Sequence, residues 1–466
     1  MTISTGFTPF AERMQAENLP DVFIRTFRYY YEQLVEGRTG LIPESEIDPI
    51  AGLPDVETFP ASLVEIGNAV LGQTVIIKLN GGLGTSMGLT KAKSLLSVKD
   101  GLTFLDIIAR QALHAGVPLL LMGSFNTSED SLAALHAYPE LWDDLPLDFL
   151  QHKAPKIARS DFRPAIWPQN PTLEWNPPGH GDIYTALVTS GILDQLMDAG
   201  YRYAFVSNAD NLGAVLDIKI LGYFAEQQLP FMMESADRTS ADRKGGHLAI
   251  RNSDGQMILR EIAQTPAEDE DAFQNIDKHR YFNTNTVWWN LQALQDVMTV
   301  REGILGLPMI LNSKSVDPRD AESTPIYQIE TAMGSAIAVF EDAGAVRVPR
   351  SRFAPVKTTD DLLAVRSDAF VLTDDFRVVA NPARTTPQVV VSLDSRFYKL
   401  IDDMEARFPD GAPSLLECES LTIKGDVLFE RNVVCKGVVE LDNQSEEQMV
   451  VDHLAGPVLP RTMSIG

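Results

Sequence analysis

The sequence predicts an α/β protein: a mostly parallel sheet with helices on both faces, a helical segment before it and a β-helix after it. Three observations carry this. Buried-strand runs alternate with helical stretches from residue 74 to about 350, the pattern that builds parallel sheets. Aromatic residues recur at helix spacing before Gly37. Apolar residues recur every six positions after residue 420.

The N-terminal stretch places Phe23, Phe27, Tyr30, Tyr31 and Leu34 on one helical face, with Gly37 at its end; these rings read as core or docking surface. Residues 40–70, rich in Pro, Gly and acids, read as a connector. TVIIKLN at 74–80 is a buried-strand run before a glycine-rich loop. A helix is expected from Thr103, opening on a capping-box-like TFLD and stopping at Gly116. PLLLMGS at 118–124 is the next strand, and a helix follows from Ser128. Residues 181–200 read as one helix, with Gly200 as its stop. Strands are expected at 201–210 and 230–237, and a hairpin at 247–262 turning on Asp254-Gly255. In such sheets ligands bind at the carboxyl ends of strands.

In the tail, Leu421, Val427, Val433 and Val439 lie six apart, as do Ile423, Phe429, Cys435 and Leu441. Gly425 and Gly437 take corresponding turn positions. A six-residue apolar period marks a β-helix, whose short faces stack on one another; an antiparallel strand pair is the plainer alternative. The tail is expected to form a separate unit without catalytic groups, with Cys435 inside as a small hydrophobe.

The chain has 466 residues, and 39 basic against 64 acidic side chains give a net charge of −25. That charge disfavours nucleic acid and anionic membrane as partners. A phosphate ligand then needs local cations and a metal to overcome the field. Two cysteines, Cys418 and Cys435, form no disulfide framework and no Cys/His zinc site. The N-terminus carries no secretory pattern, and no apolar run is long enough to span a bilayer. These features read as a soluble, cytoplasmic protein.

The strongest motif is KLNGGLGTSMGLTKAKS, Lys78 to Ser94. Glycines at 81, 82, 84 and 88 permit close backbone approach, so that N–H groups can converge on phosphate oxygens; Lys91 and Lys93 supply charge. A Walker A loop is excluded, because Leu89 stands where its lysine belongs. A dinucleotide fingerprint is only approximated, and the segment after it is too short for a helix and a strand. A nucleotidyltransferase loop and a purely structural glycine loop both remain open on pattern alone.

This loop resembles the signature of the eukaryotic-type UTP–glucose-1-phosphate uridylyltransferases. WNPPGHGDIY (175–184), FVSNADNLGA (205–214), DRTSADRKGG (237–246), FNTNTVWW (282–289), QIETAMGSAI (328–337) and VPRSRFAPVKTTDDL (348–362) are similar to that family in the same order. The resemblance implies a Rossmann-like nucleotidyltransferase domain at 56–378, a helical segment at 1–55 and a left-handed β-helix-like domain at 379–466. It implies UTP and glucose 1-phosphate as substrates, UDP-glucose and pyrophosphate as products, and Mg²⁺ as cofactor. A UDP-N-acetylhexosamine or broad UDP-sugar pyrophosphorylase is the near alternative, although its loop reads closer to GGQGTR. A dinucleotide-dependent oxidoreductase and a non-catalytic nucleotide-binding regulator are the distant ones. A homo-oligomer is left open.

By the same resemblance, Leu79, Asn80, Gly81, Gly82, Gln151 and Gly179 bind the nucleotide. Gln151 reads the uracil, which an amide suits because it both donates and accepts. His180, Asn208, Gly246, Asn283 and Asn285 take the sugar phosphate. Asp210 holds Mg²⁺, a hard ion that needs few protein ligands. Lys93 and Lys357 are the catalytic cations on the triphosphate. Taken singly, a lysine reads as solvated surface and an Asp after a strand as a cap.

Overall fold

The computed structural model describes residues 3–142, 145–320, 322–386 and 388–452. Its centre is a ten-stranded sheet made of β1 (Ile47–Pro49), β2 (Thr74–Leu79), β3 (Leu119–Gly123), β4 (Asp148–Leu150), β5 (Tyr203–Asn208), β6 (Phe231–Asp237), β7 (His247–Arg251), β8 (Met257–Arg260), β9 (Tyr281–Asn290) and β10 (Gly344–Val348). The main order is β1-β7-β9-β5-β2-β3-β4; β8 pairs with β7, β6 with β9, and β10 with β6.

The sheet is mixed, which corrects the expectation of a mostly parallel one. β5, β2, β3 and β4 are parallel neighbours, whereas β9 runs antiparallel to both β5 and β6. The cause lies between β6 and β9. No crossover helix returns the chain to the amino edge there: residues 238–280 stay at the carboxyl edge, β9 begins where β6 ends with Tyr281 opposite Asp237, and it can only run back.

Strand alternation divides the core. Val75, Ile77, Ala204 and Val206 join the helices Ile183–Thr189 and Leu291–Val300 on one face. Ile76 and Phe205 join Phe104–Ala115 and Ile218–Glu226 on the other. The helix from Thr103 has the expected capping box and ends at left-handed Gly116. The stretch 181–200 is two helices, Ile183–Thr189 and Ile192–Asp198, rather than one, because Gly191 breaks it at φ +73°. The N-terminal stretch forms two helices, Ile3–Ala16 and Asp21–Val35; Phe23, Phe27, Tyr30, Tyr31 and Leu34 all lie on the second and, with Phe7 and Phe10 of the first, pack on Ile157, Met309 and Ile329. Among the described residues no helix is long and apolar enough to cross a membrane.

In the tail, Val390–Leu393, Ser414–Lys424 and Val434–Asp442 form a parallel sheet. Leu421 faces Val439 and Ile423 faces Leu441, so partners stand three six-residue periods apart. Parallel pairing removes the antiparallel alternative. Cys418 and Cys435 are buried there, and burial pushes their thiols up to about 11 and about 12.

The tail is not separate from the glycine loop. Met87, Leu96 and Val98 share one core with Val356, Leu362, Tyr398, Leu421, Val433 and Val439. A chain ended near residue 380 should therefore lose the loop's support and with it cooperative melting and UTP binding; a soluble truncation that binds UTP normally would contradict the shared core. Leu421→Ala, in the full chain, should cost about 2–5 kcal/mol in thermal or urea unfolding.

Candidate functional site

Register puts the site together. β2 and β5 are parallel neighbours with Leu79 opposite Asn208, so the loops after both strands leave the sheet side by side. They open a cleft of about 320 Å³ lined by Leu79, Asn80, Gly81, Gly82, Lys93, Gln151, Gly179, His180, Asn208 and Asp210, together with Ser94 and Met122. Ten of the fourteen residues expected at the site thus share one cavity.

The glycines of the loop have different reasons. At Gly81 an added Cβ would stand 2.7 Å from Gln151 Nε2, so the amide lies directly on the backbone. Gly84 and Gly88 are left-handed, at φ +67° and +81°, and they bracket a short turn that buries Met87 in the tail core. Asn80 faces the cleft through its backbone alone, since its side chain is buried and donates to Ser131 Oγ at 2.8 Å. Gln151 is carried by the chain leaving β4, where its N–H donates to the Gly123 carbonyl at 2.9 Å.

Gly179, at φ +83°, lies against Thr331: an added Cβ would meet its carbonyl oxygen at 2.4 Å. Next to it, His180 Nδ1 accepts from the Met333 N–H at 2.9 Å, which leaves the proton on Nε2. Burial lowers its pKa to about 4, so the ring is a neutral donor at physiological pH. Asp182 faces elsewhere. Its carboxylate accepts from the His152 N–H and pairs with His152 Nδ1 at 2.9 Å, and His152 stacks on Phe23 with ring centroids 4.2 Å apart. The N-terminal helices thereby brace the loop that carries His180.

The asparagines sit on a bulge. Between Glu234 and Ser235 the partner strand β9 shifts register, from Thr286 to Asn283, and the extra residues turn Asn285 to φ +56°. Asn285 Nδ2 donates to Asn208 Oδ1 at 2.8 Å, and its N–H donates to Asn283 Oδ1 at 2.8 Å. Asn283 N–H in turn donates to the Gly246 carbonyl at 2.9 Å. The Oδ1 of Asn285 is buried without a hydrogen-bond partner.

Asp210 and Lys93 meet: Nζ lies 2.6 Å from Oδ2. Lys357 comes from the far side of the sequence. Asn211 takes the Ala354 N–H on its Oδ1 at 2.9 Å and donates to the Arg352 carbonyl at 3.2 Å, and Val356 N–H donates to the Asp210 carbonyl at 3.1 Å. Lys357 follows, exposed, its ammonium 5.9 Å from the Phe353 ring centre.

Three contributors escaped the sequence reading. Asn211 stands inside the quoted SNADN run, but its role as a clamp needs the 352–356 segment that only folding brings near. His152 likewise depends on a contact with Asp182 across 30 residues. Glu261 has no motif at all, yet a Cβ on Gly246 would stand 2.5 Å from its Oε2. Desolvation raises the Glu261 carboxyl to about 7 against the opposing pull of Asn283 and the Lys357 charge. For a metal, Asp210 is the one carboxylate in the cleft, and among the described residues no group of three His, Cys, Asp or Glu is placed to hold a metal ion. That fits an ion that takes its remaining ligands from water and phosphate.

A glycine loop, a lysine and an aspartate at the ends of adjacent parallel strands define a nucleotidyltransferase. The chain belongs to the UTP–glucose-1-phosphate uridylyltransferase family, whose pattern it matches over residues 22–436. It is 42% identical to the enzyme of that name from Solanum tuberosum over 384 residues, 81% of this chain and 78% of the relative. It is 39% identical to that of Saccharomyces cerevisiae over 442 residues, 92% of this chain and 85% of the relative. Among solved structures it superposes on a point mutant of UDP-glucose pyrophosphorylase from Leishmania major bound to UDP-glucose. The TM-score is 0.89 at 44% identity, with 98% of each chain covered. The UDP-glucose phosphorylase of Trypanosoma brucei gives a TM-score of 0.86 at 45% identity, covering 96% of this chain and 97% of that one.

The raised carboxyl of Glu261 has a testable consequence. The folded protein keeps a proton that the unfolded chain releases above its ordinary value of 4.5, so stability from this group is full below that value and lost as pH rises through about 7. Glu261→Gln should raise Tm relative to the parent at about pH 8 and leave it unchanged at about pH 4. Equal shifts at both pH values would show an ordinary exposed carboxylate.

Proposed function

We propose that the protein makes UDP-glucose and pyrophosphate from UTP and glucose 1-phosphate, reversibly, by in-line attack of the sugar phosphate oxygen on the α-phosphorus of UTP. Family membership supports the reaction, and the observation that carries the site is the single cleft holding the loop, Gln151, His180, Asn208, Lys93 and Asp210. No covalent intermediate is needed, so catalysis rests on positioning and charge.

In this reading the backbone at Leu79–Gly82 and the Gln151 amide take the uracil edge, the amide already lying on Gly81. Gly179 lets the backbone of the neighbouring loop approach the nucleotide. His180, neutral, donates a hydrogen bond from its Nε2–H to a phosphate oxygen. Asn208, Asn283 and Asn285 with Gly246 and Glu261 form the sugar cradle, and the unpartnered Asn285 Oδ1 is an acceptor for a sugar hydroxyl. Lys93 and Lys357 neutralise the triphosphate as pyrophosphate leaves. Asp210 would hold Mg²⁺, which when bound supplies charge neutralisation to the phosphates. We read residues 1–55, 56–378 and 379–466 as the three parts of the chain, with the eighteen-residue offset between paired tail strands supporting a β-helical coil. A cytoplasmic location is the companion reading.

Pyrophosphate release, measured over a matrix of nucleoside triphosphates and sugar 1-phosphates, tests the assignment: UTP with glucose 1-phosphate should lead, and a lead for N-acetylhexosamine 1-phosphates would move the protein to the related reaction. Gln151→Ala should lower kcat/KM for UTP more than for other triphosphates, and equal losses would remove Gln151 from the base site.

The lysine role has a kinetic signature. A contact strengthened in the transition state lowers kcat rather than raising KM alone, and losing one such contact costs about 10²–10³ in rate. Lys357→Ala should lose on that order in kcat while melting as the parent does. Near-normal kcat at saturating UTP and Mg²⁺ would assign Lys357 to the solvated surface.

A further inference from the structure

The ion pair between Lys93 and Asp210 occupies both of the groups that the reaction is to use. The ammonium lies 2.6 Å from Oδ2, and the two side chains are 15% and 26% exposed. A divalent ion approaching Asp210 must therefore displace a contact cation from a partly desolvated site. It gains little from the protein in return, because Asp210 is the one carboxylate lining the cleft and, among the described residues, no group of three His, Cys, Asp or Glu is placed to hold a metal. Mg²⁺ takes most of its six oxygens from water and phosphate and dehydrates reluctantly; without the phosphates, one carboxylate holds it weakly.

We propose that Lys93 is the resident counter-ion of Asp210 and closes the metal position until a nucleoside triphosphate arrives, so that metal and nucleotide enter together by an exchange of partners. The triphosphate draws the ammonium away from Asp210, and the freed carboxylate turns to the metal that the phosphates already carry. Each anion keeps a cation throughout. The loop is built for such a move: Lys93 N–H donates to the Gly82 carbonyl at 3.0 Å, which fixes the backbone while the side chain swings. In a chain of charge −25 the device also keeps the site from collecting divalent ions when no substrate is present. The inference rests on the reading of Asp210 as metal holder given above.

Mn²⁺, followed by the loss of its free-ion EPR signal, tests it on the full-length protein without sugar phosphate, so that no turnover occurs. The parent should show no Asp210-dependent Mn²⁺ equivalent alone and one equivalent when UTP is added. Lys93→Met should bind that equivalent without UTP, about tenfold more tightly or better, and Lys93→Met with Asp210→Asn should lose it. Lys93→Arg, which keeps the charge, should restore exclusion. Should Lys93→Met fail to melt cooperatively, Lys93→Gln and the parent's own response to UTP carry the comparison. Equal Mn²⁺ affinity of the parent and Lys93→Met without UTP, with Asp210→Asn still weakening the UTP complex, would overturn the exchange and leave the metal role standing. No effect of Asp210→Asn on Mn²⁺ in the UTP complex would overturn that role as well.

Discussion

Parallel pairing of β2 with β5, Leu79 opposite Asn208, is the constraint on which the cleft depends. The two strands are buried on both faces, and their alternating side chains enter two different cores. A slip of one residue would exchange those faces and move the loops relative to each other. Lys78 guards the register from behind: its buried ammonium reaches Ser207 Oγ at 2.7 Å and the Ala214 carbonyl at 2.8 Å, and burial lowers its pKa to about 7. The residues that follow these strands, Asn80 to Gly82 and Ala209 to Asn211, then meet at the carboxyl edge of the sheet.

Around that edge the chain spends local order on polar geometry. A bulge in β9 turns Asn285 toward Asn208, and Asn211 holds the segment that brings Lys357 in. Behind the sheet, Glu234 accepts from Arg352 at 2.6 Å and from the Trp288 indole at 2.9 Å, so a buried carboxylate fixes the base of the same segment. Removing one member of such a buried pair leaves the other charge uncompensated. Rigidity here fixes the polar groups of the cleft relative to one another, which the proposed reaction by positioning and charge requires.

The tail enters the same argument through packing. Met87, between the left-handed Gly84 and Gly88, is buried with Tyr398, Leu421 and Val439, and an added Cβ on Gly88 would meet Leu400 at 3.2 Å. A loop rich in glycine has little local stability of its own. Its shape is held by a core that most of the chain's length separates from it in sequence, and tail and glycine loop are coupled for that reason.

Local signals were sufficient for much of this. Periodicity gave the strands 74–79 and 203–208, the capped helix from Thr103 and the hairpin at Asp254-Gly255, because each is set by residues close in sequence. The glycine loop and the asparagine pair were legible as motifs, and the family resemblance ordered them. Tertiary structure alone decided the antiparallel β9, since strand direction depends on where a long excursion ends. It decided that Asn80 turns to Ser131, that Lys93 rests on Asp210 across 117 residues, and that Glu261 lies under Gly246 with a raised pKa. Burial and charge pairing are properties of neighbours in space, and a sequence names only neighbours along the chain.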